Sequence, residues 1–244
     1  MIISLESPLL ARAGFFHGFS TSAVDLALDA PGYAERVARF LAGAKIPASS
    51  ARQLRQVHGA SVVRAAREPG ERRDPVGAPR GEHDAIGEGD ALVSADVAIG
   101  VRVADCAPIL VGRLDDGAVA AIHAGWRGIV AGVVGAALAE LGPGERVAAI
   151  GPCIGACCFE VDADVGDRIA SASDHPPSIA RRDGAKAYVD LRAAARAQLR
   201  AAGLADADID DVPGCTRCDA ARRFFSFRRD GARAGRHLAA IAPR

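Results

Sequence analysis

The chain has 244 residues, half of them apolar and a quarter charged, and its 30 basic and 30 acidic side chains cancel to zero net charge. That is the composition of an ordinary globular protein with one sizeable core, and the charge balance gives no electrostatic case for a nucleic-acid or anionic-membrane partner. The start lacks the basic n-region and long apolar run of a signal peptide, and the longest apolar run, 129–139, is too short for a bilayer. A cytoplasmic protein is expected, whose six cysteines are thiols or ligands rather than a disulfide scaffold.

In chain order, residues 2–22 read as a strand and turn followed by a second strand around 15–19. A helix is expected over 31–43: Pro31 suits a first turn, Tyr33, Val37, Phe40 and Leu41 share a face, and Gly43 ends it. Residues 54–63 read as a strand pair or one long strand, which puts His58 in or beside β structure. Residues 67–89, rich in Gly, Pro and charge without a period, read as a long surface loop. The chain re-enters the fold at 90–93.

The segment 97–137 organises the rest. Val97, Ile99, Val101 and Val103 alternate as in a strand, which delivers Asp105 and Cys106 at its end. A second strand is expected over 109–114, a hairpin turn at Asp116 and Gly117, and a third strand over 118–122 that ends at His123. A Gly-containing loop, 124–128, leads to a helix over 129–141. Beyond it lie a short strand at 147–151, a turn at 151–155, and a helical face at Val161, Val165 and Ile169. A second loop is expected over 172–187. Asp190 caps a helix over 191–202 with Gly203 as its stop, a strand follows at 209–212, and two β segments close the chain around 224–227 and 237–241. The mixed order of strands and helices argues one α/β or α+β domain over 1–244.

His58, Cys106 and His123 are the metal candidates. Two imidazoles and a thiolate form a three-ligand zinc set with a fourth position open for water or substrate, although a buried Cys is also an ordinary small hydrophobe. Cys153, Cys157, Cys158, Cys215 and Cys218 invite a second cluster, but C-x3-C-C fits no common zinc knuckle and the C-x2-C lacks a thioredoxin-like context. They are read as packed thiols without a second metal.

The segments QVHGASVV, GDALVS, RVADCAPIL, AAIHAGWRGIVAG, IGPCIGACCFEV, YVDL and CTRCDAARRFFSFRRDGARAGRHLAAI, in this order between Gly18 and Ile241, resemble the YfiH-like family. Its members are also labelled polyphenol oxidase or laccase-domain proteins and purine nucleoside phosphorylases. The resemblance implies a single-domain layered α/β sandwich with two sheets between helix layers. It implies a zinc ion at His58, Cys106 and His123, phosphorolysis of adenosine, inosine, guanosine and methylthioadenosine, and deamination of adenosine by the ion's water. Purine nucleosides and phosphate are then the partners. One departure is local: the family's Gly-rich, Arg-containing stretch after GFST is replaced here by Ser22, Ala23 and Val24.

Phosphorolysis needs an anion site. Gly125 and Arg127 precede the expected helix, whose N-terminus and backbone N–H groups favour anions. Arg228 and Arg229 form a second guanidinium pair, with a solvated strand edge as the plain alternative. Asp105, on the opposite strand face from Cys106, is read as orienting a His or a backbone N–H. Trp126 is a purine stacker or a packing residue, and His17 is a further residue that could approach the site. Three other functions compete: phenol oxidation by copper, hydrolysis of peptides or cell-wall precursors with Cys106 as nucleophile and His123 as base, and a partner-binding module with structural zinc.

Overall fold

Adjacent residues of a strand face opposite ways, and Ile109, Leu110 and Val111 use this to supply two cores at once. Ile109 and Val111 pack in one buried cluster with Ile122, Val134, Leu138 and Leu199, while Leu110 packs in another with Phe19, Val119, Ile99 and Ile241. A strand buried on both faces reads as a continuous apolar run, which explains why this segment shows no clean alternation. The structure is a computed structural model describing residues 2–48, 50–67, 85–173 and 180–244.

The first elements are β1 (Ser4–Leu5), α1 (Pro8–Arg12), β2 (His17–Ser20), α2 (Tyr33–Gly43), β3 (Gln53–Arg55) and β4 (Val62–Arg64). The central run is β5 (Ala85–Glu88), β6 (Ala91–Ser94), β7 (Ile99–Val103), β8 (Ala107–Arg113), β9 (Val119–Ala124), α3 (Trp126–Val130) and α4 (Val133–Leu141). Then follow β10 (Arg146–Ile150), β11 (Glu160–Asp162), α5 (Ala163–Ser171), β12 (Ala180–Asp183), β13 (Lys186–Val189), α6 (Leu191–Ala201), β14 (Ile209–Asp211), α7 (Phe227–Asp230) and β15 (His237–Ile241).

Two sheets carry the molecule. A six-stranded mixed sheet runs β14-β10-β8-β9-β6-β4, and a four-stranded antiparallel sheet runs β1-β2-β15-β7. Helices α4 and α6 cover the outer face of the first through Val133, Ala137, Leu138, Leu191, Ala194 and Leu199. Helix α2 covers the outer face of the second by setting Val37, Phe40 and Leu41 against Leu238 and Ala240. The result is the α/β/β/α layering expected of the fold, with burial of each large side chain contributing about 1.5–3 kcal/mol before entropy is charged against it.

Several elements differ from the sequence reading. Residues 54–63 are two separate strands in different sheets, β3 pairing with β5 and β4 with β6. The 67–89 loop lies mostly outside the described residues, yet its end, 85–88, is strand β5. The segment 124–128 is not a loop: Ala124 closes β9, Gly125 is the N-cap and 126–128 begin α3, and the expected 129–141 helix is broken at Gly132, which takes φ +78°. The 172–187 loop contains a hairpin half, because β12 and β13 pair in the small β11-β13-β12 sheet. Finally, 224–227 is not β structure: Ser226 accepts from the Arg229 N–H and caps the short α7, so the Phe–Ser–Phe alternation marks a cap rather than a strand.

Candidate functional site

Three side chains meet where strands end. His123 is on β9, and Pro108 of the neighbouring β8 is its cross-strand partner. Cys106 sits in the turn that feeds β8, and His58 sits in the connection between β3 and β4. The donor atoms of His58, Cys106 and His123 all lie within 4.8 Å of one another, and the two imidazoles meet edge to face at 4.8 Å between centroids.

Asp90, just before β6, holds this group in place. Its Oδ1 accepts from the His58 backbone N–H at 2.8 Å and pairs with His123 Nδ1 at 2.8 Å, and its Oδ2 accepts from the Gly59 N–H at 2.6 Å. The His123 N–H also donates to the Asp90 carbonyl at 2.7 Å. A buried carboxylate on Nδ1 holds a proton there and leaves Nε2 as the nitrogen that a metal ion would engage. Sequence reasoning missed Asp90; its signal was a carboxylate before an apolar strand, with Gly89 beside it.

Electrostatics prepare a thiolate beside a charged imidazole. Burial pushes the Cys106 thiol up, but His123, through charge and hydrogen bond, together with His58 outweighs it and brings the thiol down to about 6. Burial pushes His123 down, but the Cys106 sulfur and Asp90 raise it to about 9, so without an ion the two form a thiolate–imidazolium pair and metal binding must release the His123 proton. For Asp90, burial raises the carboxyl and the His123 and backbone N–H bonds more than reverse this, so it stays ionised. A preformed thiolate with two imidazoles, all converging, fits one borderline-soft ion such as zinc.

The backbone is strained where it must turn. His58 has φ +61° and Asp105 φ +90°, in a region non-Gly residues rarely adopt. Asp105 is therefore not in strand geometry opposite Cys106. Its carboxylate takes the Thr216 hydroxyl at 2.5 Å and the Arg228 N–H at 2.6 Å, so it ties the ligand turn to the C-terminal segment and bonds no imidazole. Gly125 has an ordinary φ of −74°. Its role is space: a Cβ there would lie 2.9 Å from Cys106 Sγ and 3.3 Å from His58 Cδ2.

A cavity of about 430 Å³ opens over the three donors, lined by Arg55, Arg102, Arg228, Arg236, Phe159 and Phe227 besides the donors themselves. Arg228 stacks over Phe159 at 5.3 Å, and Arg236 lies 5.9 Å from Phe227. Phe227 is 53% exposed, so its ring is open to the cavity's contents. A larger groove of about 580 Å³ between α4 and α6 is lined by no His, Cys or carboxylate, so the chemistry belongs to the smaller one.

Of the other sequence candidates, Arg127 is not in the cavity wall. It stacks at 4.5 Å on Trp126, which Arg168 also covers at 5.4 Å; Trp126 packs against the core. Helix α3, only five residues long, is too short to present the expected helix-end anion site. Arg229 is spent on Asp230 and on the carbonyls of Thr216, Arg217 and Phe224. His17 is a core histidine, taking the Ser7 N–H on Nε2 and bonding the Phe15 carbonyl through Nδ1. Cys153 is a packed thiol, but Cys157, Cys158, Cys215 and Cys218 are gathered into one cluster, which corrects the reading of all five as packing residues.

The family model described as multi-copper polyphenol oxidoreductase laccase matches residues 27–244. The chain belongs to that family. The chain's fold superposes on a solved YfiH from Bacillus licheniformis with a TM-score of 0.78 at 22% identity over 93% of this chain and 92% of that one. It superposes on YlmD of Geobacillus stearothermophilus with a TM-score of 0.80 at 27% identity over the full length of both. In sequence it is 41% identical over 170 residues to adenosine deaminase RL5 of an unknown prokaryotic organism, covering 66% of this chain and 64% of that protein. It is 35% identical over 216 residues to a purine nucleoside phosphorylase of Deinococcus radiodurans, covering 85% of this chain and 76% of that one. The match thus spans somewhat under two thirds of RL5. The family's copper name sits awkwardly with this site: among the described residues the other histidines, His17 and His237, are bonded to backbone away from the three donors. No helix among the described residues is long and apolar enough to cross a membrane.

Proposed function

We propose that this chain is a zinc-dependent purine nucleoside phosphorylase, converting adenosine, inosine, guanosine or methylthioadenosine to free base and ribose 1-phosphate, with adenosine deaminase activity at the same site. The observation that carries the reading is the placement of the His58, Cys106 and His123 donors under a cavity that combines guanidinium groups with aromatic walls. The names of the family relatives support it.

His58, Cys106 and His123 would hold the ion, with Asp90 fixing the His123 tautomer and the His58 backbone. When bound, zinc supplies Lewis acidity and an acidified water, the chemistry that deamination requires. The protein's own groups then have separable tasks. Arg228, which gives one guanidinium nitrogen to the Glu160 carbonyl, has the others to offer a phosphate dianion, while Arg102, bonded to Gln53 and the Leu54 carbonyl, and Arg236, bonded to the Ala234 and Gly235 carbonyls, add positive charge. These replace Arg127, Arg229 and the Gly125 loop as the phosphate-binding assignment. Phe159 and Phe227 offer apolar faces for a purine. In phosphorolysis a phosphate oxygen bonds the anomeric carbon while the C–N bond to the purine breaks, and the base leaves with the electron pair. Holding both reactants in one cavity converts this into an effectively unimolecular step.

Chromatography of adenosine incubations with and without phosphate tests the proposal. Adenine and ribose 1-phosphate that form only with phosphate support phosphorolysis, and inosine formed without it supports deamination. Neither product from zinc-loaded protein overturns both. A cytoplasmic setting accords with these small-molecule partners.

A further inference from the structure

The cysteine cluster is absorbed by none of this. Cys157 and Cys158 lie in the turn before β11, and Cys215 and Cys218 lie in the turn after β14, about 60 residues apart in sequence. The sulfurs of all four are within 4.8 Å of one another, and Cys157 Sγ is 3.5 Å from Cys218 Sγ. Four thiolates on a tetrahedral zinc with bonds of about 2.3 Å sit about 3.8 Å apart, so the cluster has the span that a single ion requires. Cys215 Sγ also accepts the Gly155 N–H at 3.3 Å, the kind of amide contact that supports a thiolate. The parallel bridge between Cys153 and Cys215 brings the two turns together in the backbone itself.

We propose that Cys157, Cys158, Cys215 and Cys218 form a second metal site, a tetrathiolate that takes one zinc-type divalent ion with all four positions filled by protein. A closed sulfur set is structural rather than catalytic. Its task is to staple the two turns that build one wall of the cavity. The first turn leads from Ile154 to Phe159, both in the lining. The second carries Thr216, whose hydroxyl holds Asp105 beside Cys106, and the Thr216 and Arg217 carbonyls that receive Arg229. Binding displaces the thiol protons to solvent and needs no redox partner. The site stands independently of the reaction assigned to the cavity.

The test uses the full chain, zinc-loaded, and follows alkylation of each cysteine by peptide mass analysis before and after chelation. The expected result is that Cys157, Cys158, Cys215 and Cys218 resist alkylation together and become reactive together on chelation. Free alkylation of exposed Cys157 and Cys218 in the zinc-loaded protein, or their recovery as a disulfide-linked pair, overturns the proposal. A second measurement adds cobalt to the Cys106→Ala protein, which leaves only the proposed site. Sulfur-to-cobalt charge-transfer absorption saturating at one ion per chain is expected, with its loss in a Cys106→Ala protein that also carries Cys157→Ser and Cys218→Ser. No such band in the Cys106→Ala protein refutes the site, and the wild-type alkylation pattern decides even if the multiple variant fails to fold.

Discussion

Replacing Asp90 by Asn tests the support of the metal ligands without touching a ligand. The carboxylate is fully buried and receives the His58 N–H, the Gly59 N–H and His123 Nδ1 at 2.6–2.8 Å. An amide in the same place keeps one acceptor oxygen. If that oxygen stays with His58 and His123, the amide NH2 confronts the Gly59 N–H, donor against donor. The remaining bonds lose their charge assistance. An unsatisfied buried donor costs about 1–3 kcal/mol, which is the expected loss of apo-protein stability. The ligands also lose their anchor, and loss of such a partner lowers metal affinity by about 10- to 100-fold. Competition against a chromophoric chelator measures the affinity, and urea unfolding of the chelated protein measures the stability. A folded Asp90→Asn protein that binds zinc within twofold of the wild type would refute the reasoning, because the three contacts would then be incidental to the site.

Gly125→Ala should weaken zinc binding although its backbone φ is ordinary: the new Cβ would sit 2.9 Å from Cys106 Sγ and 3.3 Å from His58 Cδ2, so the donors must shift, and the usual Gly→Ala stability gain is offset; chelator competition and urea unfolding check this. Arg228→Ala should raise the apparent KM for phosphate by about tenfold, the loss expected for one charge-assisted bond, and leave phosphate-independent inosine formation nearly unchanged; product assays at varied phosphate check this. His237 supplies a pH prediction. Burial pushes its pKa down from 6.5 to about 4, against opposing backbone hydrogen bonds from Phe225 and at Ser20. The unfolded chain therefore binds the proton first, and stability present above pH 6.5 is lost as pH falls toward 4, by up to about 3 kcal/mol. Urea midpoints across that range should show the loss in wild type and less of it in His237→Gln, which can still accept the Phe225 N–H.

How far the sequence reveals this molecule depends on the range of the interactions. The α2 and α6 helices are legible because their signals are local: the Val37, Phe40 and Leu41 face on one, Asp190 with its two N–H bonds on the other, although α2 begins at Tyr33 and leaves Pro31 before its Gly32 cap. The β8–β9 hairpin is legible from its turn. The small β11-β13-β12 sheet is not, since β13 reads Lys-Ala-Tyr-Val and pairs on both sides with charged edge strands. The broken α3–α4 helix is hidden because Gly132 sits inside an unbroken apolar run. The three donors stand out by residue type and family pattern, but Asp90 and the cavity arginines do not. Arg102 and Arg236 come from strands paired in the second sheet or adjoining it, and nothing local connects them to His58. Arg127 and Arg229 drew attention by lying in memorable segments, while their actual partners, Trp126 and Asp230, are immediate neighbours. The cysteines failed for the same reason: C-x3-C-C and C-x2-C are each uninformative until the fold lays one turn on the other.

The most direct test of the central claim is a zinc titration of chelated protein, with adenosine phosphorolysis followed at each addition beside Cys106→Ala and His123→Ala proteins at the same zinc load. Adenine and ribose 1-phosphate should rise with added zinc in the wild type and stay absent in both variants. Undiminished phosphorolysis in the Cys106→Ala protein, or turnover indifferent to zinc, would contradict the account.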